Sequence, residues 1–199
     1  MSSGEDKAWN ILRDLKPAAV CKNAIVSFEE SAGVYLLKSF GMDLSVAPET
    51  KSIYSEAPYA DLLLDSLGYF SKLTIPFYLT SAMDIPLTER LVQPGNVKGG
   101  DIFFRGTHVL PLDKFALKYG HDKAGFLKRG SDLGGMQMNY GDASVKIFPF
   151  PRLPVVIILW QEDDEFPPRA DILFDSTCEF HLALDILWST AMECLLIMM

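Results

Sequence analysis

The stretch from Pro149 to Asp175, PFPRLPVVIILWQEDDEFPPRADILFD, restricts the fold more than any other. Val155 to Trp160 is an unbroken apolar run rich in β-branched residues, the pattern of a buried strand. It runs into four acidic residues, Glu162, Asp163, Asp164 and Glu165. Pro167-Pro168 then turns the chain into a second apolar run, Ile172 to Phe174, closed by Asp175. Two such strands around a short polar turn form a hairpin, with carboxylates at its mouth.

The rest of the chain supplies helices and more strands. Ser3 before Glu5 and Asp6 reads as a helix start, and Trp9, Ile11, Leu12 and Leu15 follow at helical spacing until Pro17. A short second helix is expected over Ala18 to Asn23. Ala24 to Phe28, Val34 to Phe40 and Asp43 to Val46 read as a three-strand meander, and Pro48 to Pro58 as a polar loop. Tyr59 to Leu73 is dense in leucine and aromatics, which fits a largely buried helix. Pro76, Pro86, Pro94, Gly95, Gly99 and Gly100 predict a mostly irregular segment from Ile75 to Gly100. Helices are expected near Asp101 to Arg105, Leu112 to Tyr119 and Asp122 to Arg129, strands over Met136 to Met138, Ala143 to Phe148, Pro154 to Trp160 and Ala170 to Phe174, and a last helix from Leu182. This order predicts an α+β fold in which an antiparallel sheet packs against several helices, in one globular domain over 1–199.

Composition narrows the partners. Against 18 Lys and Arg stand 26 Asp and Glu, a net charge of −8. Phosphate binding needs a basic face, so neither nucleic acid nor an anionic membrane surface is an expected partner. Cys21, Cys178 and Cys194 form no CxxC pair and are odd in number, which favours a reducing, cytoplasmic setting over a disulfide framework or a closed zinc site. The start, MSSGEDKAWN, is acidic and lacks the apolar core of a signal peptide. The apolar run from Leu182 to Met199 contains Asp185 and Glu193 and falls short of the roughly 20 residues of a bilayer span. It is expected to be a buried helix or one that forms a homodimer or meets a partner protein.

Four motifs within these segments carry a resemblance: Pro151-Arg152-x-Pro154, Leu159-Trp160, Asp164-Glu165-Phe166-Pro167 and Leu173-Phe174-Asp175. With weaker support from Leu62 to Leu64, Gly99-Gly100 and Gly141-Asp142, the chain from Trp9 to Trp188 resembles an uncharacterised domain family of bacteria and archaea, mostly anaerobes. The resemblance implies no activity. Some members are joined to iron–sulfur modules like those of corrinoid proteins, which points toward one-carbon or corrinoid metabolism. This chain departs from that pattern, since its cysteines lack ferredoxin spacing.

Several residues are candidates for chemistry. Asp164, Glu165 and Asp175 have the hard oxygens that Mg²⁺ or Ca²⁺ requires, and the competing reading is a solvated hairpin tip. Arg152, pinned between prolines, suits a bidentate clamp on a carboxylate or phosphate, or a structural ion pair with Asp175 or Glu165. Gly99-Gly100 before Asp101, flanked by Lys98 and Arg105, reads either as a backbone approach to an anion or as a tight turn with Asp101 as N-cap. His108 lies in the irregular region, His121 beside Asp122 at a helix start, and His181 near Cys178, a pairing that suits a nucleophile or an axial ligand. Met136 and Met138 share a strand face and suit core filling.

The expected function is therefore a small-molecule or cofactor-binding accessory protein of anaerobic metabolism, its cofactor unidentified. The ligand would sit between the sheet and the irregular Ile75 to Gly100 region, with contacts from Arg152, Gly99, Gly100, Arg105, His108 and Trp160. One alternative is a metal-dependent hydrolase using Asp164, Glu165 and Asp175, with His108 or His181 as base. The other is a dimerising interaction protein.

Overall fold

Residues 4–199 are described in a computed structural model; the helix start expected at Ser3 lies outside them. The chain opens with α1 (Gly4–Asp14) and α2 (Pro17–Ala24). Pro17 occupies the first turn of α2, where its missing N–H costs no hydrogen bond. A meander follows: β1 (Ser27–Glu29), β2 (Val34–Ser39), β3 (Met42–Ala47) and β4 (Ser52–Tyr54), antiparallel and in sequence order. The fourth strand falls in the segment expected to be a loop. Its pairs Val46 with Ile53 and Ala47 with Ser52 come from the register that β3 imposes on a short polar sequence.

A π-turn over Leu62–Ser66 leads into α3 (Gly68–Ser81), so the leucine-rich helix runs well past its expected end. Pro76 lies inside α3 and is a correction to the irregular reading of Ile75 onward. A helix-interior proline costs about 3 kcal/mol. Here Ser71, Thr74, Ile75, Tyr78 and Leu79 are all buried, and that packing holds the helix through the defect. Beyond it, β5 (Leu91–Val92), a 3₁₀ turn at Pro94–Asn96, α4 (Gly100–Phe103) and a second 3₁₀ turn at Gly106–His108 interrupt the loop. Then come α5 (Leu112–Tyr119), α6 (Lys123–Asp132), β6 (Met136–Met138), β7 (Ala143–Phe150), β8 (Leu153–Trp160), β9 (Arg169–Asp175), α7 (Cys178–His181) and α8 (Leu184–Met198).

The fold class is α+β, with two antiparallel sheets rather than one. The second sheet has the order β5-β9-β8-β7-β6, with β8 at its centre. Register fixes which side chains face inward. Ala143, Leu159 and Ala170 form one row, Val145, Ile157 and Ile172 the next, and Ile147, Val155 and Phe174 a third. All nine belong to the core with Phe115 of α5, Phe126 of α6 and Leu187 and Leu195 of α8. Each Val, Leu, Ile or Phe side chain buried this way contributes about 1.5–3 kcal/mol. The alternate residues, including Trp160 and its cross-strand partner Arg169, point to the opposite face. The two sheets join where Phe40 N–H donates to the Phe148 carbonyl at 2.7 Å. Nearby, Gly41 and Gly134 both adopt positive φ, and a Cβ on Gly134 would lie 2.8 Å from the Gly41 Cα.

Helix α8 packs most of the last apolar segment into the core. Ile186, Leu187, Ala191, Cys194, Leu195, Ile197 and Met198 are buried within this chain, as are Ser189, Thr190 and Glu193. Leu184, Trp188, Met192 and Leu196, spaced every fourth residue, are only half-buried and form the one partly accessible apolar stripe of α8 among the described residues. No helix among the described residues is long and apolar enough to cross a membrane.

Candidate functional site at the hairpin mouth

The hairpin of β8 and β9 ends in a closed acidic turn. Asp163 Oδ1 accepts hydrogen bonds from the backbone N–H of Glu165 at 2.9 Å and Phe166 at 2.7 Å, while Asp163 N–H donates to the Phe166 carbonyl. This Asx-type turn explains an aspartate at the centre of the run. A second clamp comes from the β6–β7 turn. Asp142 N–H donates to the Leu159 carbonyl, and Gln161 N–H donates to Asp142 Oδ2 at 2.8 Å. Gly141 is required there, because its φ is +56° and a Cβ would lie 2.6 Å from Ile158 Cγ2.

Between these turns opens a cleft of about 540 Å³. Trp160, Phe166, Pro167 and Pro168 give it apolar walls. Asp163 and Asp142 reach it from the two turns, and Asp113 from the first turn of α5. Trp160 is 38% and Phe166 65% exposed, so both rings are accessible. The indole is held in place, since its Nε1–H donates to Asp171 Oδ2 at 3.0 Å. Arg169 lies over the same ring, 4.9 Å from its centroid, and pairs with Asp171 at 3.4 Å. Among the described residues no ion pair engages Asp113, Asp142 or Asp163.

A second opening of about 560 Å³ lies between α2 and the first sheet, beside Cys21, Ile25 and Leu36. Its charged groups are already matched, Lys22 with Asp84 at 3.2 Å and Lys38 with Asp43 at 3.3 Å. The hairpin cleft alone of the two combines accessible aromatic rings with carboxylates that lack an ionic partner.

The other residues singled out in the sequence are scattered. Arg152 lies at the far end of β8 from Trp160 and is 8% exposed. Its guanidinium donates to the carbonyls of Asn23, Ile85 and Lys22, and to Asp84 Oδ1 at 2.5 Å. Its ionic partner is thus Asp84, not Asp175 or Glu165, and most of its donors are occupied inside the fold. Asp164, Glu165 and Asp175 do not form one cluster, because Asp175 is the last residue of the seven-residue strand β9 and lies at its far end from the hairpin turn. No group of three or more His, Cys, Asp or Glu among the described residues is arranged to hold a metal.

Asp175 has a structural task instead. Its Oδ1 accepts from Thr177 N–H and Oγ1 and from Thr88 Oγ1, and its Oδ2 from Glu89 N–H at 2.7 Å. Burial would raise its pKa, but these donors from Thr177 and Thr88 outweigh it and hold the carboxyl below its ordinary value of 3.8. Its contribution to stability is therefore full above that value and is lost as pH falls through the lower folded one. Asp175→Ala should cost about 2–3 kcal/mol by stranding donors. The protein's metal content, measured by mass spectrometry of the native protein, should not change.

Gly99-Gly100 is a tight turn in which Gly100 N–H donates to the Val97 carbonyl at 2.7 Å. A Cβ on Gly100 would lie 2.0 Å from the Pro94 carbonyl oxygen, which explains the glycine. The N-cap is Gly99 and not Asp101. The anion that meets this turn is the chain's own Glu179, whose Oε2 accepts from Lys98 N–H at 3.2 Å. Arg105 is exposed. His108 stacks on Phe103 with centroids 4.1 Å apart and meets Trp188 edge-on. His121 pairs with Glu162 at 3.1 Å on the surface.

Cys178 and His181 share α7 and are both buried. Burial first, then the charges of Glu179 and Asp175, push the Cys178 thiol up to about 12. A thiol so placed has almost no thiolate at neutral pH and is no nucleophile. His181 Nδ1 accepts from Met83 N–H at 3.3 Å, and burial lowers its pKa.

Asp113, Asp142, Gln161 and Arg169 went unnoticed as site residues in the sequence. Asp142 had a usable signal in the Gly141-Asp142 turn; Asp113 had none, because α5 brings it from a distant segment.

The family-like motifs fall at both ends of β8. Pro151 to Pro154 surround the buried Arg152, and Trp160 with Asp164 to Pro167 frames or borders the cleft. The family model described as a domain of unknown function, DUF3786, matches residues 16–196. No curated protein and no solved structure matches the chain. By that match over most of its length, the chain belongs to the DUF3786 family.

Proposed function

We propose that this protein binds a small molecule or cofactor in the hairpin-mouth cleft and serves as an accessory of anaerobic metabolism, the setting that the resemblance of its motifs implies. One observation carries the reading. The cleft, about 540 Å³, has the size of a ligand site and pairs aromatic and proline walls with a few polar groups. Its frame is rigid where it needs to be, since Asp142 and Asp163 are locked by backbone donors and Trp160 by Asp171. The metal-dependent hydrolase is not supported, because Asp164, Glu165 and Asp175 stand apart.

Ligand-observed NMR with a mixed fragment library tests this. Fragments that bind the wild-type protein should lose most of their signal with Trp160→Leu, and with Phe166→Ser as an independent check on an exposed residue. Fragments that bind both variants as well as wild type would place the binding elsewhere.

A further inference from the structure

The cleft also carries information about the charge of its ligand. Three aspartates, Asp113, Asp142 and Asp163, face it against a single cation, Arg169. Each of Asp142 and Asp163 uses one oxygen in its turn, leaving the other free of that duty, and Asp113 makes no ion pair. The surrounding turn adds Glu162, Asp164 and Glu165, and the whole chain carries −8. An anion would enter against this field; a cation is drawn in by it. The indole of Trp160 supplies the second element of cation recognition, an electron-rich ring face. That face already holds a positive group, since the Arg169 guanidinium lies 4.9 Å from its centroid. Arg169 is itself substantially exposed, with a side chain 64% accessible, so it can swing away from the ring.

We propose, resting on the cleft as the binding site, that the ligand class is an organic cation of the alkylammonium type, and that Arg169 is a built-in competitor for the face of Trp160. The ammonium head takes the position over the indole, the carboxylates of Asp113, Asp142 and Asp163 balance its charge, and Phe166 with Pro167 covers its carbon groups. Arg169 keeps the indole face covered when no ligand is bound. Its displacement lowers the affinity, so its removal raises it.

Choline and its uncharged carbon isostere dimethylbutanol are the probes. The indole N–H signal of Trp160, identified by its loss in Trp160→Phe, reports occupancy. Choline should move that signal saturably and dimethylbutanol should not. Arg169→Ala should tighten choline by about threefold or more, by freeing the ring and removing a like charge. Asp113→Asn, at an exposed position without an ion pair, should weaken it by about the same factor. Equal shifts from both probes, or fragments that move the signal while choline does not, would overturn the cationic class and leave the cleft as the binding site. Weaker choline binding by Arg169→Ala would overturn the competitor role. If neither choline nor any fragment moves the signal, the class and the site fall together.

Discussion

Arg152→Met should lower the unfolding free energy by about 2–3 kcal/mol, the cost of leaving carbonyls inside the fold without their donors. The reason lies in α2. A helix ends with carbonyls that have no partner of their own. Here Lys22 and Asn23 give theirs to the Arg152 guanidinium, and Ala24 gives its to the Tyr78 hydroxyl at 2.8 Å. The same hydroxyl accepts from Arg152 N–H at 3.1 Å. One side chain from the β7–β8 turn thus caps α2, holds Ile85 and Asp84 after α3, and ties both to the second sheet. Methionine fills part of the volume but strands the carbonyls of Lys22, Asn23 and Ile85, while Asp84 keeps Lys22. Lysine keeps the charge but lacks the planar fork, so Arg152→Lys should recover less than half of the loss. Urea unfolding measures this; a loss under about 1 kcal/mol for Arg152→Met would mean that the carbonyls find other partners.

The second large effect concerns Glu193, buried to 1% exposure between α3 and α8. Thr74 Oγ1 donates to its Oε2 at 3.1 Å, while Oε1 has no hydrogen-bond partner. Burial raises its pKa from 4.5 to about 8, a shift that the Thr74 hydrogen bond only partly opposes. The folded state therefore holds the proton more tightly than the unfolded one. The stability that this proton confers is complete below pH 4.5 and is lost as pH rises to about 8. The slope approaches about 1.4 kcal/mol per pH unit. Glu193→Gln retains an acceptor for Thr74 and cannot ionise. It should match wild type near pH 5 and exceed it by at least about 2 kcal/mol near pH 8. His181, whose lowered pKa gives the opposite slope, cancels in the difference between the two proteins. Parallel curves for wild type and Glu193→Gln would show that the carboxyl finds its charge compensated.

Local pattern made much of the fold legible. The run Val155 to Trp160 could only be a buried strand, and it is the central one. The helix expected over Leu112 to Tyr119 is α5, and its Phe115, Ala116 and Tyr119 are all buried. What escaped was set by distant partners. Ser52–Tyr54 is a strand because β3 offers an edge, and Pro76 stays helical because the core encloses it. The same limit applied to the site. Trp160 and the acidic turn stood out in the sequence, and Trp160 does line the cleft. Asp164 and Glu165 stood out equally, yet it is Asp163 that lines it. Alternation along a turn cannot be read without its hydrogen bonds. Arg152 was open to reading as a ligand clamp or as a structural ion pair with Asp175 or Glu165; it is an ion pair, but with Asp84, because nothing in the sequence placed Asp84 or the end of α2 beside it.

A crystal structure grown with the tightest fragment binder tests the central claim most directly. The fragment should lie in the hairpin-mouth cleft, against the Trp160 ring and within reach of Asp142 or Asp163. A fragment seated instead in the opening beside Cys21, with the hairpin cleft unchanged, would contradict the assignment.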